Sequence, residues 1–428
     1  MTRVQIAILA IGVILITAAV FILTGIIPGL RSENQLPPVR LTIWGVFDAK
    51  NAFDGAFTAY QSARPNVELA YRQFSPDTYE KDLVDALAGG RGSDIFMFHN
   101  TWLPKHIEKL AGPSAEQFTI AKLQELFPRV VEQDFAPDGR IYALPLYIDT
   151  LALLYNKDIF DRKAVALPAK NWPEFQNQLL KIRELDRKGA VTLSAAALGG
   201  SMKSINRAPD LLSALMLQTG TILTDTNFTR ATFASESGED ALRFYTQFAD
   251  PKGKYYTWND GLHYSLDAFA EGGVGMIFNY AYNLRTVRDK NPFLRVGVSE
   301  LPQINPESRV DFSNYYGLAV SRQSRATQYA WDFIIFATTR PDISKKYLAA
   351  TKHPPALRSI INERLTDPDQ GVFARQALSA RSWPQIDNNA VDQIFSGMIE
   401  VVVSGRADLR SAINQANARV TELMQGGR

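Results

Sequence analysis

The 428 residues carry 46 Lys and Arg against 44 Asp and Glu, a formal net charge of +2, and include no cysteine. Near-neutrality argues against a nucleic-acid binder, which concentrates basic side chains on one face; without a thiol there is no disulfide framework, thiolate metal site, cysteine nucleophile or cysteine-borne lipid. A hydrophobic fraction of 46% is that of a folded chain, and at about 150 residues per domain the length calls for two or three units.

Residues 4–27 are almost unbroken Ile, Leu, Val, Ala, Phe and Gly, interrupted only by Gln5, Thr17 and Thr24 and by no charge. At about 1.5 Å per residue the run can cross a hydrocarbon core of about 30 Å. It exceeds the apolar core of a cleavable signal peptide, about 7–15 residues, and Ile26-Ile27-Pro28-Gly29-Leu30 offers no small-x-small cleavage site. The run reads as a transmembrane signal anchor, with a cleaved signal and a buried core helix as alternatives. Arg3 before it and Arg31 after it leave the orientation weakly specified. Residues 28–39, polar and Pro-rich, read as a short tether.

From residue 40 strands and helices alternate. Residues 39–44 and 67–74 read as strands, 53–63 and 79–88 as amphipathic helices, and 94–98 (DIFMF) as a short buried strand. That order predicts a largely parallel, doubly wound sheet. Two strand-like runs, 142–147 and 151–155, flank Asp149. Asn171 and Pro173 open a helix over 172–185 as N-cap and first-turn proline. Helices are expected at 211–219, 238–248, 265–270, 328–337, 391–403 and 409–424, and strands at 274–278 and 294–298.

Several segments, in order, resemble the extracellular solute-binding proteins of ABC importers, in the family 1 branch that binds sugars. They are LTIWG (41–45) with RPNVEL (64–69), ALAGGRGSDIFMF (86–98), YALPLYIDTLALLYNKDIF (142–160), NWPEF (171–175) and FAEGGVGMIFNYAYNL (269–284). Ser93 stands where that family usually carries proline. The resemblance covers about 40–428 and implies an α/β, two-lobed type II periplasmic-binding-protein fold with a hinge, here preceded by one N-terminal transmembrane helix. Lobe 1 is expected at 40–147 and 298–345, lobe 2 at 148–297 and 346–428.

A sugar needs aromatic plates for its C–H faces and amides or carboxylates for its hydroxyls, because buried polar groups must find partners. Loops that follow strands supply such residues. Phe98, Asn100 and Trp102 follow the DIFMF strand. Asp149 lies at the crossover, where the resemblance implies an acidic ligand contact. Asn279 and Tyr282 follow the strand 274–278, Tyr282 at a position where the resemblance implies an aromatic plate. Tyr315 and Tyr316 precede the strand 317–320, and Trp258 stands alone in a polar loop. Each has a packing role as its alternative. Phe47 and Asp48, the loop 199–207 and the loop 387–389 are further candidates, whereas Trp172 and Trp331 read as packing. The four histidines lack metal-ligand spacing and read as surface or core residues. No cofactor and no metal is expected.

The expected function is a membrane-tethered receptor, its globular part outside the cytoplasm, that binds a sugar or oligosaccharide and delivers it to ABC permease subunits. An anchored glycan-active enzyme and a receptor for a non-sugar solute are the alternatives. No G-x-S-x-G elbow, P-loop or G-x-G-x-x-G motif supports an enzyme.

Overall fold

A computed structural model describes residues 2–23 and 36–426. The apolar run forms a helix, Arg3–Leu23. Its stretch Arg3–Phe21 is long and apolar enough to cross a membrane and buries nothing against the rest of the chain. The Thr17 hydroxyl donates back to the Val13 carbonyl at 2.7 Å, which satisfies the polar group inside the helix itself. The end of the predicted span, 24–27, and most of the tether, 28–35, lie outside the described residues.

The first lobe is built on a sheet in which Val39–Val46 lies between Val67–Phe74 and Ile95–His99, all parallel. The remainder departs from the parallel expectation. Tyr316–Ser321 enters beside Ile95–His99 in antiparallel register, Gly317 opposite Phe98, and pairs antiparallel with Leu110–Ala111 and Ala143–Pro145. This strand returns from the other lobe and arrives at the cleft end of the sheet, so it must run against its neighbours. The second lobe holds Ala152–Asn156 between Met276–Asn279 and Val296–Ser299, both antiparallel; parallel bridges at Ser194–Val274 and Ala197–Ile277 extend it.

Three short strands join the lobes. Asp311–Asn314 pairs antiparallel with Asp149–Thr150 and parallel with Ala380–Arg381. The apolar residues gather into two large cores, one running from Leu41 to Ile148 and from Tyr315 to Ala380, the other from Leu151 to Phe312 and from Trp383 to Met424. Both later boundaries expected from the sequence shift. Val298 stays in lobe 2 because it pairs with Leu154. Tyr347, Leu348, Ile360 and Ile361 pack in lobe 1, because the helix Pro341–Thr351 lies on Asp54–Ala63.

Trp331 is 0% exposed and donates its indole N–H to the Ala111 carbonyl at 2.8 Å. Trp172 is likewise buried and donates to Gln218 Oε1 at 2.8 Å.

Each crossing holds a buried carboxylate. Asp134 accepts from the Tyr315 hydroxyl at 2.8 Å, the Asn100 amide at 3.1 Å and the Ser382 hydroxyl. Asp311 accepts from the Ser379 hydroxyl at 2.6 Å. Asp149 Oδ1 accepts from the Thr150 and Ala281 amides at 2.9 and 3.1 Å. Burial pushes Asp134 and Asp149 up to about 7 and Asp311 to about 6, against the hydrogen bonds and, for Asp311, against Arg309.

Trp331→Ala is expected to destabilise the protein by about 3–5 kcal/mol, through the cavity and the orphaned Ala111 carbonyl, read as a lower midpoint in chemical denaturation. The three aspartates set a pH dependence. Their folded-state pKa values lie above the unfolded value of about 3.9, so the folded state binds the extra protons. Their contribution to stability is complete below about pH 4 and is lost as pH rises through 6 to 7. The thermal midpoint should therefore fall by several degrees between about pH 5.5 and 8, and Asp134→Asn should flatten that slope; a midpoint that climbs over this range would contradict the assignment.

Candidate functional site

Between the lobes lies a cavity of about 700 Å³, within the range of about 300–1,000 Å³ common for small-molecule sites. Its lobe 1 wall is aromatic. Strand Val39–Val46 ends in a tight turn in which the Asp48 amide bonds the Val46 carbonyl at 2.7 Å, with Phe47 at φ 64°. This γ-turn geometry is rare and strained for a side chain other than glycine. It swings the Phe47 ring into the cleft, where it is 55% exposed and meets Tyr316 edge-on at 5.7 Å. Tyr316 in turn meets His99 at 4.9 Å and Trp102 at 5.9 Å, ring centre to ring centre. Tyr147 and His353 stack in parallel at 3.9 Å. His353 Nε2 lies 3.1 Å from Asp48 Oδ1, and the Tyr347 hydroxyl donates to Asp48 Oδ2 at 2.6 Å.

Polar groups on this wall are mostly committed. His99 Nδ1 lies 2.7 Å from the Thr101 hydroxyl and Nε2 lies 3.1 Å from Asn314 Oδ1. An Nε2–H tautomer satisfies both, and burial pushes His99 down to about 4, which keeps it neutral. Glu80 Oε1 accepts from Lys105 Nζ and His106 Nε2, each at 2.9 Å. Burial opposes ionisation of Glu80, but these bonds outweigh it and hold the carboxyl below its ordinary value. Glu80 is thus a fixed anion and poorly suited to be a general acid.

The lobe 2 wall is mixed. Tyr282 is 45% exposed and stacks on buried Tyr280 at 5.7 Å, with 11° between planes. Arg207 starts the helix Ala208–Gln218 with φ 64°. Its Nε and Nη2 bond Asp210 Oδ2 at 2.9 and 2.6 Å, and its guanidinium sits 5.6 Å from the Tyr280 ring centre. The helix Asn388–Val403 presents Asn388 and Asp392. Burial pushes Asp392 up to about 7, against the pull of Arg207. Trp102 spans the lobes: its indole N–H donates to Asn388 Oδ1 at 2.8 Å.

Of the residues expected from the sequence, Trp102, Tyr282 and Tyr316 line the cavity, as do Phe47, Met202 and Arg207 of the further candidates and Asn388 and Asn389 of the loop 387–389. Six expected residues lie elsewhere. Phe98 and Tyr315 point the wrong way, because successive strand residues face opposite sides: His99 and Tyr316 take the cleft, while Phe98 packs on Phe135 and Tyr315 bonds Asp134. Asn100 is spent on Asp134 and on the Tyr315 amide. Asp149 holds the first turn of the helix Ala281–Lys290 through the Ala281 amide. Asn279 joins an amide cluster with Asn206 and Asn283. Trp258 is core, its N–H on the Ser204 hydroxyl at 3.2 Å.

Glu80, His99, Tyr147, His353 and Asp392 line the cavity without having been singled out as contacts. Asp392 had a signal: it stands three and four residues after Asn389 and Asn388, hence on the same helix face. His353 had none, since only the tertiary fold carries it to Tyr147. Among the described residues no group of three or more His, Asp or Glu is placed to hold a metal ion.

Residues 55–371 match the family described as bacterial extracellular solute-binding protein. The maltotriose-binding protein of Pyrococcus abyssi is 23% identical over 410 residues, covering 92% of this chain and 84% of that protein. The galactooligosaccharide-binding protein of Bacillus subtilis is 20% identical over 391 residues, 88% and 87% of the two chains. Among solved structures, the cyclic alpha-maltosyl-1,6-maltose binding protein of Arthrobacter globiformis superposes with a TM-score of 0.75 at 19% identity, covering 91% of this chain and all of that one. The sugar-binding protein MalE of Xanthomonas citri gives 0.75 at 19% identity, covering 90% and 98%. With the match spanning most of both lobes and the fold shared throughout, the chain belongs to the bacterial extracellular solute-binding proteins, as a binding protein rather than an enzyme.

Proposed function

We propose that this protein is a membrane-tethered receptor that captures a sugar or oligosaccharide between its lobes and passes it to the permease of an ABC importer. The observation that carries this reading is the pair of facing walls. Phe47 and Tyr316 from lobe 1 and Tyr282 from lobe 2 put aromatic faces on one cavity, the surface that the C–H faces of a sugar need. Asn388, Arg207 and Asp392 supply donors and acceptors beside them. The names of the relatives, which bind maltotriose and galactooligosaccharides, favour the same class. A ligand touching both walls stabilises the closed arrangement by its differential affinity for it.

The helix Arg3–Leu23 supports the tether. A lipid anchor through cysteine is closed to this chain, and about 20 apolar helical residues span a bilayer. With the helix in the membrane, the lobes sit on the outer side, where an importer takes up its solute.

Calorimetry and thermal shift on the full chain in detergent, with maltotriose and a galactotriose as probes, test the ligand class. Saturation at about 100 times Kd should add about 2.7 kcal/mol of stability, and Tyr282→Ala should weaken binding by about 10-fold or more. Silence from both trisaccharides and from a wider sugar panel would sink the carbohydrate reading. The tether is tested by fractionation: the full chain should stay with membranes through a high-salt wash and leave only in detergent, and deletion of residues 1–30 should release it. A mature protein beginning near residue 32 and freely soluble would contradict it.

A further inference from the structure

Of the charged groups around the cavity, Glu80, Lys81, Arg207 and His353 have partners; Asp392 does not. It projects from the first turns of the helix Asn388–Val403 into the cavity, and no described residue makes a hydrogen bond or ion pair with it. Arg207 lines the same cavity and is the cation whose charge acts on it, but it is committed elsewhere. Nε and Nη2 of that guanidinium are fixed on Asp210, whose carboxylate also takes the Tyr280 hydroxyl at 2.5 Å. The Tyr280 ring lies under the guanidinium, and the left-handed backbone at the helix start fixes the direction of the side chain. Nη1 is the edge left without an acceptor among the described residues. An arginine clamped on three sides cannot swing over to neutralise Asp392, so an acceptor and a donor stay apart, facing the same space.

We propose that Asp392 and Arg207 Nη1 form a split donor–acceptor pair that recognises a hydroxyl of an uncharged sugar and discriminates against acidic sugars. This rests on the carbohydrate reading above. A hydroxyl both donates and accepts, so a single group, or two on adjacent ring carbons, satisfies the carboxylate and the N–H together. The carboxylate of a uronate, where it takes the place of that hydroxyl, offers acceptors only. It would satisfy Nη1 but, once Asp392 is ionised above about pH 7, leave it facing a second carboxylate, with Asp210 a third anion against one guanidinium. Desolvation inside the cleft strengthens that repulsion.

The test is calorimetry on the full chain in detergent at about pH 8.5, where Asp392 is ionised, with maltotriose, galactotriose and trigalacturonate as probes, for the wild type, Asp392→Asn, Asp392→Lys and Tyr282→Ala. The wild type should bind a neutral trisaccharide at least about 50-fold more tightly than trigalacturonate. Asp392→Asn should weaken the neutral ligand by about 10–100-fold, the range of a hydrogen bond to a charged group, and narrow the ratio between ligands. Asp392→Lys should invert the preference, an outcome that mere damage to the helix cannot produce. Neutral binding unchanged within 2-fold in Asp392→Asn, but lost in Tyr282→Ala, overturns the pair and leaves the receptor standing. Tighter binding of trigalacturonate to the wild type also overturns the pair. If none of the three probes binds the wild type, the pair and the carbohydrate reading fall together.

Discussion

Three strands of two to four residues carry the chain between the lobes, and the cleft depends on what they hold. Each crossing is fastened by a buried carboxylate rather than by apolar packing alone. A buried carboxylate is costly unless its lone pairs are met, so each one fixes the direction of its donors. Asp134 shows what this achieves. Its oxygens gather Asn100 from the loop after the third strand, Tyr315 from the returning strand and Ser382 from the last crossing. These segments come from three distant parts of the chain; the first two adjoin the cavity residues His99 and Tyr316, and the third leads on to Asn388 six residues later. The positions of those groups follow from a bond network one layer below the cavity wall.

The same layer explains why the walls differ in chemistry. Lobe 1 presents rings supported by other rings, with Tyr316 touching Phe47, His99 and Trp102. Edge-on aromatic contacts of this kind add about 0.5–1.5 kcal/mol beyond burial and hold a plate at a set angle. Lobe 2 presents one plate, Tyr282, and beside it a charge cluster whose internal pairing is complete at Asp210 and incomplete at Asp392. One wall offers shape and the other hydrogen-bonding groups, and in the proposed receptor a ligand would have to satisfy both to hold the lobes together.

Much of the fold was legible because periodicity and caps are local. The helix Tyr79–Ala88 matches its amphipathic reading residue for residue, and Asn171 caps its helix through Glu174 N, as its position before Trp172-Pro173 suggests. The order of motifs carried the two-lobed architecture. Strand direction was not legible, since nothing local says that Tyr316–Ser321 re-enters from the hinge. Nor were the later boundaries, because 346–380 has a helical pattern that suits either core. In the site, loops were found more reliably than residues. The segments 98–102 and 315–316 both reach the cavity, but on a strand a shift of one residue reverses which side chain enters it, so His99 lines it and Phe98 does not. Residues drawn from remote segments, such as His353, leave no trace in local sequence.

Phe47 shows how a strained position is kept. A side chain at φ 64° in a turn this tight costs on the order of 1–3 kcal/mol and persists only where the surroundings over-determine it. The next residue is held from four directions. Its amide bonds Val46, its carbonyl accepts from the Tyr71 hydroxyl at 2.6 Å, and its carboxylate takes Tyr347 and His353. The Phe47 carbonyl itself accepts from Gln73 at 3.1 Å. Gly45 makes this possible, because a Cβ there would collide with the Tyr71 ring and push its hydroxyl off Asp48. Two strands and the helix Pro341–Thr351 with the loop after it therefore converge on one turn, and what they fix is the ring that stands most exposed in the lobe 1 wall. In the proposed receptor a plate held this way would be in place before the ligand arrives, so little of the binding free energy would go into ordering it. That would leave more of the ligand's differential affinity for drawing lobe 2, with Tyr282 and Asp392, onto the other face.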